Sequence, residues 1–290
     1  MNLDDLKSKK YLLPALALGA GLLGVLLRLW LYGTGLEENN LLRASHPAGS
    51  LVLLLSLVFA GAAAFLTRPL REVLPYDRRF PRSVPGALGS WIGAAGILMS
   101  ALVDLVRREN GLNTAAGILG VLAAAGLIWA GLLRLQGKRP GAGPHAAVCL
   151  YFVLRLISRY RGWSADPQLQ DYAFQLLATV CLMLYSYHRS ALDLRDGSAW
   201  AVNLLAMLSI YCCCLAAVRS DDKWLYLCTG AWVLCSALPA FSPAPAAASV
   251  TPPEVEAEEV ETPEEAEEAE EAEETDDADA DREDGPEDEE

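Results

Sequence analysis

Tyr11–Gly33 reads YLLPALALGAGLLGVLLRLWLYG, with one charge, Arg28, near its end. An α-helix of this length, rising ~1.5 Å per residue, spans the ~30 Å hydrocarbon core of a bilayer. The run is apolar all round, without the polar face that a surface helix of a soluble protein keeps. Lys7, Lys9 and Lys10 precede it, as basic residues precede the apolar core of a signal peptide. Such a core is shorter, however, and ends in a small-residue cleavage site. The stretch is expected to be an uncleaved first membrane span.

Seven further stretches repeat the pattern: 50–67, 86–106, 115–135, 145–160, 169–187, 200–218 and 224–241. The fold class expected is all-α, a polytopic bundle of about eight spans. Seven is the alternative, because Arg155 and Arg159 leave 145–160 a short apolar core. That segment reads equally as a short span, an interfacial helix or a re-entrant piece. The connections are too short to hold a soluble domain, so the chain divides into a transmembrane domain (1–241), a Pro/Ala-rich linker (242–253) and a tail (254–290).

Charge is sharply segregated. The chain is 53% hydrophobic yet carries a formal charge of −14. Residues 254–290 hold 23 acids and one base, Arg282, for −22; residues 1–253 are left with +8. A basic, apolar body suits a membrane domain beside anionic lipid. The tail has glutamates three and four apart with almost no compensating base, which opposes helix formation and favours disorder. Such a tail also argues against nucleic-acid binding.

The longest connection carries Arg68, Arg71, Arg78, Arg79 and Arg82. Short loops rich in Lys and Arg stay cytoplasmic. With the N-terminus inside and an even number of spans, 14 of the 23 basic residues fall on the inner side, and both termini are cytoplasmic. The acidic tail then shares a compartment with the arginine loop. Expected partners are the lipid bilayer and, for the tail, a basic cytoplasmic protein or the chain's own 68–85 loop.

Small residues recur at four-residue spacing: Gly89 and Gly93, Ala20 and Gly24, Ala116 and Gly120. Such pairs let helix backbones approach closely in lipid. They serve either a dimer face or, more simply, packing within one chain.

Ionisable residues within spans cost ~2.5–3.5 kcal/mol or more at a helix centre and so point to function. Arg28 is placed to snorkel to the interface. Asp104, just before Arg107 and Arg108, is placed for a local ion pair. Arg155 lies deeper. In 159–175, RYRGWSADPQLQDYAFQ, Asp166 and Pro167 form a helix-start signal. Asp171 and Gln175 follow on the first turns. Arg155, Asp166, Asp171, Gln175 and Asn203 are the candidates for a ligand or transport site. Capping, local ion pairs and interhelical hydrogen bonds are the plainer reading of the same residues.

Metal and cofactor chemistry find no support. His46, His145 and His188 are scattered, the seven cysteines lie in apolar runs without CxxC spacing, and neither a P-loop nor a GxSxG motif occurs. Buried cysteine is expected to act as a small apolar residue. No nucleophile is paired with a base in sequence, so an intramembrane enzyme ranks behind an interaction protein or a small-solute transporter.

The segment YRGWSADPQLQDYAFQLLA, followed by an apolar run, resembles uncharacterised multi-pass membrane proteins of clostridial-type bacteria, which carry a similar Trp-Ser-x-Asp-Pro turn before a Tyr-containing span. The likeness covers 160–187. It implies a bacterial plasma membrane and no particular activity.

Overall fold

The computed structural model describes residues 12–35, 46–68, 83–107, 111–163, 169–194 and 198–237. All described residues lie within one compact unit, Met1–Ala246, and end at residue 237. The expected linker and disordered tail fall outside the described residues, as do Arg71, Arg78, Arg79, Arg82 and Asp166. Arg68 is described: it caps α2 and is exposed.

The described residues form eight helices and are all-α. They are α1 (Leu12–Thr34), α2 (Pro47–Thr67), α3 (Val84–Arg107), α4 (Gly111–Leu135), α5 (Gly143–Trp163), α6 (Leu169–Asp193), α7 (Ala199–Ala216) and α8 (Lys223–Ala237). Five of them, α1 to α4 and α7, are long and apolar enough to cross a membrane. The chain is thus a helical protein with five candidate membrane spans. The segment around Arg155 is one unbroken helix of 21 residues, longer than its apolar core suggested. α8 is described over 15 residues, ~22 Å, and the last part of the expected 224–241 segment, 238–241, lies outside the described residues.

Consecutive helices α3 to α8 pack side by side, and α8 returns to pack against α3, closing a ring of six. α1 and α2 stand outside it: α1 docks on α7, and α2 packs on α1 with a smaller contact to α7. Ring closure depends on glycine. A Cβ on Gly89 would lie 2.4 Å from the Cβ of Cys235, and one on Gly93 would lie 2.6 Å from that of Trp232. One on Gly96 would meet the Cβ of Cys228 at 2.4 Å. Three hydrogens facing α8 therefore set the interhelical distance. Cys228 and Cys235, seven residues apart, share the face that meets this glycine stripe. Gly120 likewise meets Ala101 and Tyr151, and Gly24 meets Leu215. The small-residue pairs thus pack within the chain. All seven cysteines are free thiols.

The ring interior is filled. Ile97, Leu127, Val148, Phe152, Leu182, Met207 and Val233 are fully buried there. The outer surface is apolar and exposed, with Leu53, Leu54, Leu57 and Phe65 of α2 as examples. An apolar outer surface of this kind suits lipid contact rather than water.

Candidate functional site

Two clusters of buried charge occupy opposite ends of the ring. The first is built around Arg155. On α5, Val148, Tyr151, Phe152, Arg155 and Arg159 recur at helical spacing and form one stripe. The stripe faces inward, so Arg155 is only 2% exposed. Its Nη1 donates to Asp104 Oδ2 of α3 at 2.7 Å and to Tyr151 Oη at 3.3 Å. Its Nη2 lies 2.7 Å from Asp222 Oδ2. Arg159 Nη2 reaches the same two carboxylates, at 3.3 Å and 2.9 Å. Two cations and two anions from three separate elements therefore form one compensated quartet.

Asp222 sits on the turn between α7 and α8. Its carbonyl accepts the first amide bonds of α8, from Leu225 and Tyr226, while its side chain turns inward to the arginines. Ser220 Oγ accepts the Asp222 amide at 3.1 Å and shapes the turn. Arg219 just before it has φ 59°, a left-handed conformation that costs a non-glycine residue energy. Beneath the quartet, Tyr226 Oη donates to the Gln175 carbonyl at 3.4 Å. Ser158 donates to Asn113, tying α5 to α4 at the same end.

The second cluster gathers where α4, α6 and α8 end and α5 begins. Arg134, His145, Arg189 and Asp193 are all buried. His145 Nδ1 lies 2.8 Å from Asp193 Oδ2, and Arg189 Nη2 lies 3.9 Å from Asp193 Oδ1. Arg134 donates to Ser236 Oγ and to the Ser236 carbonyl, each at 3.3 Å. The imidazole of His145 stacks on the Trp232 indole, with centroids 6.2 Å apart and planes 14° from parallel. Tyr185 meets the same indole edge-on.

The structure redistributes the residues singled out from sequence. The Asp104 carboxylate crosses to α5, and Arg107 is exposed, while Arg108, the other expected partner, lies outside the described residues. Arg28 does not snorkel. It is 3% exposed, and its Nη1 donates to the Leu215 carbonyl at 2.6 Å while Nη2 reaches Tyr32 Oη. A cation thus meets a carbonyl in the last turn of α7, where the helix dipole favours it. Arg155 and Gln175 share an end of the ring. Asn203 is buried near the start of α7, about 20 Å along the helix from that end. The Asp171 side chain lies outside the described residues.

Sequence reasoning missed Asp222 and the whole His145 cluster. α6 held the clue: Gln175, Thr179, Ser186, Arg189 and Asp193 recur at helical spacing, and all are buried. A polar stripe on an otherwise apolar span marks the side turned away from lipid.

Among the described residues, no group of three or more His, Cys, Asp or Glu is arranged to hold a metal ion. Comparison with protein-family models, curated proteins and solved structures gives no match, so the reading of function rests on this geometry.

Proposed function

We propose that the chain is an eight-span membrane protein whose six-helix ring, filled and closed in this conformation, opens to pass a small polar solute when the Arg155 quartet at one mouth parts. The observation that carries this reading is the burial of Arg155 between two carboxylates that belong to different elements, Asp104 and Asp222. Buried ion pairs are weak sources of stability, and apolar residues of the same volume commonly do as well or better. Four charges held together in a lipid-facing ring therefore point to use rather than to packing. Asp104 and Asp222 differ in mobility on this reading. Asp104 is fixed within α3, whereas Asp222 rides on the strained turn beside Arg219. Displacing that turn withdraws one carboxylate and uncovers both guanidiniums, leaving a mouth of net positive charge. A solute with an anionic or strongly accepting group fits that mouth.

The test uses the full chain reconstituted in lipid vesicles, probed with glycerol, urea, acetate and chloride by stopped-flow light scattering. Vesicles holding the protein are expected to pass at least one probe faster than empty vesicles. Asp222→Asn is expected to change that rate several-fold, while Arg107→Gln leaves it unchanged. Rates equal to those of empty vesicles for every probe, or an unaffected Asp222→Asn protein, overturn the reading.

The segregated charge supports a companion reading for the tail. On it, both termini lie on the cytoplasmic side of a bacterial plasma membrane, and the −22 tail engages a basic partner or the 68–85 loop. Deleting residues 254–290 then changes protease access to the loop, and salt suppresses the change because exposed charges are screened over ~8 Å at physiological ionic strength. Identical access with and without the tail rules out the contact with the loop.

A further inference from the structure

We infer that His145 and Asp193 form a proton-binding site inside the ring, at the end opposite the Arg155 quartet. The site is independent of any transported solute, and its test reads proton binding directly.

His145 is 5% exposed, and the side chain of Asp193 is fully buried. The carboxylate oxygen of Asp193 lies 2.8 Å from Nδ1, close but without the alignment of a hydrogen bond. Two lone pairs at that distance repel, so the carboxylate favours the neutral tautomer with its hydrogen on Nδ1 and the free lone pair on Nε2. The reaction is addition of one proton to Nε2, converting imidazole to imidazolium, with hydronium of the aqueous phase as the donor and water as the product. The Asp193 carboxylate faces the new charge.

Four of the ring's helices contribute groups at this end. From α6, Arg189 stands 3.9 Å from the other oxygen of Asp193, and Tyr185 packs on the shared indole. From α4, Arg134 brings a second guanidinium, anchored on Ser236 of α8. From α8, the Trp232 indole lies nearly parallel to the imidazole, with centroids 6.2 Å apart, and reports on its charge. On α5 itself, Cys149 lies one turn further on. Asp193 favours the imidazolium, whereas burial and the two guanidiniums oppose it. Opposed terms of this kind make proton binding reversible rather than permanent. Protonation also shifts the allegiance of Asp193. The carboxylate draws closer to His145, and its long contact to Arg189 loosens, so a proton bound on α5 alters how Arg189 is held on α6.

The chain contains only three histidines, His46, His145 and His188, which makes the site readable by one experiment. The full-length protein is labelled with ¹⁵N-histidine, placed in lipid nanodiscs and titrated by NMR between pH 4 and 9. His145→Asn assigns its resonance. The neutral ring is expected to carry its proton on Nδ1 and to titrate reversibly on Nε2. Asp193→Asn is expected to lower the proton affinity of that ring at least tenfold. Trp232 fluorescence should fall as the ring protonates, and the change should vanish in Trp232→Phe. An imidazole that stays in one protonation state across the range overturns the inference in the wild-type protein alone. So does a titration that Asp193→Asn leaves unchanged. Solute flux plays no part in either readout, so this inference and the conduction reading fail separately.

Discussion

α2 and α5 have the same length and opposite characters. α2 is the most apolar of the candidate spans and the least buried. It packs along α1 and meets the ring through Phe59, which stacks on Tyr211, and Ser56, which hydrogen-bonds to it. α5 carries His145, Arg155, Arg159 and Arg161 and is not among the five candidate spans. Yet its Val148, Tyr151, Phe152 and Arg155 are almost completely buried. Hydropathy therefore ranks these helices by what they offer to lipid. What a helix offers to its neighbours is written in the residues that lower its hydropathy.

Removing the central charge of α5 tests this contrast most severely. Arg155→Leu leaves Asp104 and Asp222 facing each other and Arg159 without their main counter-charge. Breaking a buried pair by removing one partner costs about 3–5 kcal/mol. The protein is expected to lose that much stability in denaturant-titrated unfolding in micelles, or to fail to accumulate. Replacing all four charges, Arg155, Arg159, Asp104 and Asp222, by leucine should restore most of the loss, because no uncompensated charge of the quartet remains. A quadruple variant as unstable as the single one would show that the quartet holds the ring together by more than charge. The comparable change on α2, Ser56→Ala, should barely register.

The next effect concerns the closing seam of the ring. Gly93→Ala brings a Cβ to within 2.6 Å of the Trp232 Cβ, an atom close to the backbone that cannot swing aside. Overpacking of this kind costs about 1–3 kcal/mol. Gly61 of α2 has nothing within 4 Å of its added Cβ, so Gly61→Ala should leave stability unchanged or raise it slightly. Thermal unfolding midpoints of the two variants compare seam and periphery directly. Equal losses at both positions would mean that α2 packs against something on its open face.

Different parts of this arrangement were legible in the sequence to different degrees. The helical class followed from length and apolar content, since only helices satisfy a backbone in lipid within such short, separate segments. Helix borders drifted by a few residues where caps were ambiguous. α2 begins at Pro47 because His46 accepts the Ala48 amide, a capping role histidine seldom advertises. Arg155 stood out because charge within an apolar run is costly. Its partners did not. Asp104 had Arg107 and Arg108 within one turn, and Asp222 lay in a short polar turn that reads as solvent-exposed. Only the closure of α8 onto α3 brings Asp104 and Asp222 within reach of one guanidinium, and spacing along the chain carries no trace of it. Asn203 erred the other way. It looked like a partner of Arg155 because both are polar residues in spans, but helix direction puts them at opposite ends.

The smallest expected effect isolates the attachment of α2. Ser56 Oγ donates to the Val52 carbonyl on its own helix and shares a hydrogen bond of 2.8 Å with Tyr211 Oη on α7. Ser56→Ala removes only the interhelical part, since the Val52 carbonyl keeps its place in the helix ladder. Hydrogen bonds between membrane helices average ~0.6 kcal/mol, because the separated helices find other partners. The stacking of Phe59 on Tyr211 at 4.6 Å survives the change. A double-mutant cycle of Ser56→Ala with Tyr211→Phe should therefore yield a coupling of about 0.6 kcal/mol, several-fold below that between Arg155 and Asp104. A coupling as large as the one inside the ring would make α2 an integral seventh wall, and the contrast between ring and periphery would fall.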